Sequence, residues 1–198
     1  MYIPKNLQMT ASSANEFIHE YSFGCLISAN LIGSHLPFSF DEEQSVLYTH
    51  LAKANTHWQA LAGQEVLIIF SGPHAYISPT WYDKGPAVPT WNYAAVHVKG
   101  KVTVLNELDT LNVVNQTVEK YEPTLLANTE LFNSEFNSRL AKAIVGLKID
   151  IIDIEGKQKL GQQRAHADQL GVVAALQQGE LEAQLLADYM KKHEIGLG

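Results

Sequence analysis

The chain has 198 residues, 46% hydrophobic and 18% charged, enough for one domain with its own core or one domain with a tail. Fourteen Lys and Arg against 21 Asp and Glu leave a net charge of −7, and no basic run is longer than Lys191-Lys192. Direct binding to nucleic-acid phosphates is therefore disfavoured, and a single cysteine, Cys25, excludes an intrachain disulfide and a cysteine-built metal site.

"MYIPKNLQM" lacks the apolar core and cleavage site of a signal peptide. No segment reaches the roughly 18 uninterrupted apolar residues of a membrane span, so a cytoplasmic protein is expected. "NEFIHEYS" (15–22) predicts a short helix opened by Asn15. "FGCLISANLIGSHLPFSFD" (23–41) predicts two strands around a tight connection at Asn30–Gly33, with Leu36, Phe38 and Phe40 alternating against His35, Pro37 and Ser39. "SVLYTHL" (45–51) is a further strand, and "AKANTHWQALAG" (52–63) a short helix closed by Gly63.

"EVLIIFSG" (65–72) is apolar throughout, as a strand buried on both faces would be. "SPTWYDKGPAVPTWNY" (78–93) follows, punctuated by Pro and Gly as a loop is, yet holding Trp81, Tyr82, Trp91 and Tyr93. Three readings stand for those rings: a satellite core under a long loop, half of a subunit interface, or a wall for a flat ligand. "AAVHVKGKVTVLN" (94–106) is the clearest strand, with Val96, Val98, Val102 and Val104 on one face.

Two amphipathic helices are predicted next. One carries Leu108, Leu111, Val114, Val118 and Tyr121 behind an Asn106 cap; the other repeats Phe132, Phe136, Leu140 and Ile144. "GLKIDIIDIEG" is a last long strand that changes phase at Ile151-Ile152, as a bulge would make it. From about residue 165 the chain is helical again, broken at Gly179. Adjacent strands with late and terminal helices point to a mainly β (α+β) barrel or sandwich.

No G-x-G-x-x-G, P-loop, H-E-x-x-H or G-x-S-x-G is present, so no dinucleotide, phosphoryl-transfer, zinc-protease or esterase motif supports a function. The histidines have no metal-ligand spacing, and no protein-bound metal is expected. Two segments concentrate hydrogen-bond donors. "YTHLAKANTHW" (48–58) runs from a strand into a helix start, where backbone N–H groups favour an anion; His50, Lys53, Asn55 and His57 add side-chain donors and Trp58 a flat wall. "EGKQKLGQQR" (155–164) gathers Lys157, Lys159, Gln162, Gln163 and Arg164, which suits a phosphate or carboxylate; a solvated connection is the plainer alternative.

"MYIPK", "HLAKANTHW", "FSGPHAYISPTWY", "VPTWNYAAVHVKG", "AIVGLKIDI" and "IEGKQKLGQQR" resemble the PaiB family, small bacterial proteins described as FMN-binding negative transcriptional regulators. The resemblance covers residue 1 to about 180. It implies an FMN-binding split β-barrel like that of pyridoxamine-phosphate oxidases, with a barrel domain over 1–160 and a helical extension over 161–198 packed on it. It also implies a homodimer with FMN in clefts between the subunits. The implied cofactor contacts are His50, Lys53 and Asn55, with Lys157, Lys159, Gln162 and Arg164 from the last-strand segment; Trp58 and Trp91 join the candidate cofactor contacts as flat walls on their own chemistry. Where the family reads K-W-K-L-S-Q-N-R, this chain carries Gln158, Gly161 and Gln163. The expected function is FMN binding, with flavin-dependent oxidoreduction of a small substrate as its chemistry. The alternatives are a repressor acting indirectly or through a partner, and a haem-binding split barrel.

Overall fold

The computed structural model describes residues 1–128, 130–133 and 141–198. The elements run α1 (Ala11–Glu20), β1 (Phe23–Ser28), β2 (Gly33–Pro37), β3 (Ser39–Asp41), β4 (Val46–Ala52), β5 (Glu65–Ile77), β6 (Thr90–Val104), α2 (Glu107–Tyr121), β7 (Ile144–Lys159), α3 (His166–Gln177) and α4 (Leu181–Lys192). The strands form one seven-stranded sheet in the order β2-β1-β5-β6-β7-β4-β3. The chain divides into two compact units: unit one is Met1–Thr10, Ser71–Ala95 and Gly156–Gly198, and unit two is Ala11–Phe70 and Val96–Glu155.

Unit two contains the paired strands. β1 pairs antiparallel with β2 (Cys25 opposite His35) and with β5 (Leu26 opposite Ile68), while β4 pairs with β3 and β7 (Thr49 opposite Leu147). Its core is Leu26, Phe38, Ile68, Phe70, Val96, Val98, Leu147 and Ile149, all buried. Alternation on β6 is regular, with Val96, Val98, Gly100 and Val102 inward and Lys99, Lys101 and Thr103 in solvent. Gly100 is required there, since a β-carbon would lie 2.4 Å from Ile149 Cγ2. Asn106 caps α2 by accepting the Asp109 N–H, as its sequence position predicts.

Four expectations differ from the structure. The helix expected over 52–63 is only a short 3-10 helix, Thr56–Ala60: Asn55, as its N-cap, accepts the His57 N–H and so starts it late, and the Leu61 N–H closes it on Trp58 O. Strand β5 continues through Gly72 and Pro73 to Ile77, and α1 starts four residues before Asn15. On β7 the buried alternation of Val145, Leu147 and Ile149 is lost beyond Asp150, leaving Ile152 exposed. The predicted repeat through Phe136 and Leu140 lies outside the described residues.

Unit one is built around the chain's end. The Met9 N–H donates to Gly156 O at 3.0 Å and Gln8 bridges Lys157, fixing the first ten residues along the end of β7. Leu160, Val172, Leu176, Leu186, Tyr189 and Met190 are buried between that strand end, α3 and α4. The break between the two helices falls at Gly179, as predicted.

Candidate functional site

In unit one, the start of β6 and the end of β7 enclose a cavity of about 460 Å³. Its near wall is the turn after Lys159, which Gly161 makes possible with φ +77°. Gln162 closes the turn on itself: its Oε1 accepts the Leu160 N–H at 2.8 Å, and its Nε2 donates to Gln158 O at 2.8 Å. Lys159 ties the two strands together, donating from Nζ to Trp91 O at 2.7 Å and to Thr90 Oγ1. Burial, with Lys157 and Arg164 nearby, holds the Lys159 ammonium below the usual lysine pKa. Lys157 is buried, donates to Tyr2 O at 3.1 Å and lies 5.4 Å over the Tyr93 ring.

Arg164 differs from its neighbours. Its guanidinium stacks 4.4 Å from the Tyr82 ring centroid, and none of its side-chain N–H groups has an acceptor among the described residues. Asn92, also lining the cavity, is 3% exposed, and its amide makes no hydrogen bond to any described residue. Asn92 carries no signal in the sequence that marks it as a site residue; Tyr82 is marked there only as one of four rings that could wall a flat ligand, and not as the ring that stacks on Arg164.

The aromatic segment divides its rings between two tasks. Trp81 ends a 3-10 turn, Pro79–Trp81, capped by Ser78. The next backbone N–H but one, on Asp83, donates to the buried Asp168 Oδ1 at 2.9 Å. Trp81 and Tyr82 thus belong to the packing against the tail. Trp91, in contrast, is 53% exposed, with Tyr76 edge-on at 6.4 Å and His74 at 5.9 Å. Together with Gly72, Tyr93 and Ala95 it borders an apolar hollow of about 370 Å³.

The other predicted set, His50, Lys53, Asn55 and Trp58, lies in unit two. There the turn is stiffened from within. His57 is fully enclosed, its Nδ1 2.8 Å from Ser34 Oγ and its Nε2 2.7 Å from Ser28 Oγ. Asn55 donates to Ser34 Oγ at 3.2 Å while accepting the His57 N–H, and Trp58 Nε1 donates to Lys53 O at 3.0 Å. The polar ends of Asn55, His57 and Trp58 are all engaged inside the chain.

Two donors remain for a ligand. The exposed Lys53 ammonium has no partner among the described residues. His50 Nδ1 is buried with no hydrogen-bond partner, and burial lowers the ring's pKa, so it is neutral near pH 7. An unpaired ring nitrogen and, three residues further along the chain, an unpaired ammonium are groups that suit a phosphate ester. A half-exposed indole over an apolar hollow suits a flat heteroaromatic ring. Each set, taken by itself, is of a kind that a flavin mononucleotide needs: donors for a phosphate in unit two, and in unit one an open indole for a flat ring. Among the described residues no three His, Cys, Asp or Glu side chains are placed to hold a metal ion, and no helix is long and apolar enough to cross a membrane.

Comparison with known proteins gives the same direction. Residues 1–153 match a family model described as "Putative FMN-binding domain". The chain is 37% identical to the "Protease synthase and sporulation protein PAI 2" of Bacillus subtilis, over 97% of this chain and 99% of that protein. An uncharacterised protein of Emericella nidulans is 27% identical over 73% of this chain and 74% of its own length. Among solved structures, the FAD- and haem-binding protein of Mycobacterium smegmatis superimposes with a TM-score of 0.62, at 13% identity, over 78% of this chain and 74% of that one. The flavocytochrome Anf3 of Azotobacter vinelandii does so at 0.60, at 12% identity, over 81% and 73%. At such identities the likeness is one of fold, the flavin-binding split β-barrel.

Proposed function

Because this chain belongs to the PaiB family of FMN-binding split-barrel proteins, we propose that FMN is its working cofactor and that the phosphate is met by Lys53 and His50. The observation that carries this reading is the buried, partnerless Nδ1 of His50 on the strand that delivers Lys53. Asn55 and Trp58 keep the turn in shape through their hydrogen bonds. The open face of Trp91, in unit one, is by itself suited to a flat ring system. Lys157, Lys159 and Gln162 build a rigid wall, each ammonium or amide being already engaged by backbone or side-chain oxygens.

FMN, when bound, supplies electron and hydride transfer that no side chain of this protein provides. The protein's part is to orient the flavin and to shield it from water. We assign the chain as a flavin-dependent oxidoreductase acting as a cytoplasmic homodimer with FMN in clefts between subunits. With a net charge of −7, any effect on transcription is assigned to a partner or to the metabolic reaction rather than to DNA contact.

The test compares FMN with riboflavin, which lacks the phosphate, by flavin fluorescence on the purified chain. FMN is expected to bind at least about tenfold more tightly, equivalent to about 1.4 kcal/mol, and Lys53→Gln to abolish most of that difference. Equal affinity for the two flavins, or no binding of either, overturns the reading.

A further inference from the structure

The cofactor reading uses one phosphate, met in unit two, and leaves a second place that is chemically suited to an anion, within unit one. The cavity of about 460 Å³ is bordered by Arg164, Asn92, Gln163, Tyr82, Thr90 and Lys159. Two of these have hydrogen-bonding groups that the fold leaves unmet. The Asn92 side chain lines the cavity, and its amide has no hydrogen-bond partner among the described residues. Arg164 presents its face to Tyr82 at 4.4 Å, which fixes the guanidinium plane and leaves its in-plane donors for something else.

The charge around them is of one sign. Lys159 and Lys157 stand close enough to Arg164 to share one positive region. No carboxylate lies within ion-pair distance of any of the three among the described residues. Asp168, which borders the far side of Arg164, instead accepts the Asp83 N–H. In a chain with seven more acidic than basic residues, two cations lining one cavity, with Lys157 close to Lys159 and no ion-paired counter-ion, make an anion pocket. The two lysines are occupied, Lys159 by Thr90 and Trp91, Lys157 by Tyr2. They supply field, and Arg164 and Asn92 supply direction.

We infer that Arg164 and Asn92 recognise a carboxylate or phosphate group on the substrate, so that the substrate of this protein is a small organic anion distinct from the flavin. The assignment rests on the FMN reading for the word substrate, since FMN carries a single phosphate and that is given to Lys53 and His50. The pocket itself is independent of it.

The experiment titrates inorganic phosphate and, separately, succinate into the FMN-loaded full chain at constant ionic strength, following the melting temperature. At least one of the two is expected to raise it saturably. Arg164→Gln, an exposed position, should weaken that response about tenfold, with Arg164→Lys in between, and FMN affinity should stay within about twofold of wild type. Asn92→Leu should also lose the response while melting close to wild type, because the amide makes no hydrogen bond to any described residue; a purely structural Asn92 would melt lower. Whichever anion responds identifies the group recognised.

A wild type that responds to neither anion overturns the proposal. So does an Arg164→Gln chain that loses its preference for FMN over riboflavin, which would give the cluster to the cofactor phosphate instead. If the wild type takes up no FMN, the same titration on the chain alone separates the two readings. An Arg164-dependent response then upholds the anion pocket and removes only the flavin; its absence removes both.

Discussion

A β-carbon placed on Gly171 would lie 2.1 Å from the carbonyl oxygen of Trp81, so helix α3 touches the aromatic turn backbone to backbone. Only glycine permits that approach. Asp168, one turn earlier, accepts the Asp83 N–H, and Arg164 stacks on Tyr82. Three successive contacts from the tail thus hold residues 81–83 and set one side of the anion pocket.

Gly171→Ala is accordingly expected to destabilise. Alanine in a helix gains about 0.5–1 kcal/mol over glycine, but a carbon forced against a carbonyl costs about 1–3 kcal/mol or more. The clash wins, because neither backbone can move without disturbing the Asp168 bond. The melting temperature should fall by about 5 °C, at roughly 2–4 °C per kcal/mol for a chain of this size. A variant melting at or above wild type would show that the turn yields freely.

Acid should weaken the fold through its histidines. Burial lowers the pKa of His57, His50 and His97 from the ordinary 6.5. The folded chain therefore favours the neutral ring, and the unfolded chain takes up the proton first. The stabilisation is complete above the unfolded pKa and is lost as pH falls through the folded one, at up to about 1.4 kcal/mol per pH unit for each group. Melting curves from about pH 7.5 to about pH 5 should show this decline, and His57→Gln should reduce its slope. An unchanged slope in that variant would assign the decline elsewhere.

Trp91 should separate stability from binding. Half exposed on its own strand, it contributes little to the fold, and Trp91→Ala should change stability by less than about 1 kcal/mol. FMN affinity should drop by about tenfold or more, the worth of one good stacking face. Equal losses in both, read from thermal melts and flavin titration, would make the indole a packing residue.

Lys159→Met should loosen the start of β6. The variant leaves the Trp91 carbonyl and the Thr90 hydroxyl without their shared donor, a loss of about 1 kcal/mol. Hydrogen exchange at Trp91, Asn92 and Tyr93 should accelerate while exchange in α2 stays as in wild type. Uniform protection across both would show that the ammonium holds nothing in place.

The periodic elements were legible in the sequence. The valines of β6 alternate over a long stretch, Asn106 announces α2, and Gly179 separates α3 from α4. Local chemistry settles those features, and local chemistry is what a sequence displays. The aromatic stretch was half misread: Pro89 looks like the interior of a loop, but β6 begins at the next residue, so Trp91 and Tyr93 are strand residues with fixed faces.

The candidate site was legible as residue types and not as roles. His57 reads as a donor for an anion, yet its ring is closed between Ser28 and Ser34, which lie 29 and 23 positions away. Nothing in "ANTHW" indicates those partners. Asn92 was invisible for the converse reason, since its importance is the absence of any partner. Lys157, Lys159 and Arg164 look equivalent along the chain; only the fold shows that two are engaged and one is free.

The division into units bears on how the protein can be cut. Unit one is assembled from three stretches and unit two from two, with β5, β6 and β7 each running across the boundary. No single scission in the polypeptide releases either unit whole. A fragment stopped after β7 would lack α3, and with it the Asp168 and Gly171 contacts that seat residues 81–83. Shortened versions made for crystallisation or display should therefore keep the terminal helices, or the pocket beside Arg164 will lose the surface it is built on.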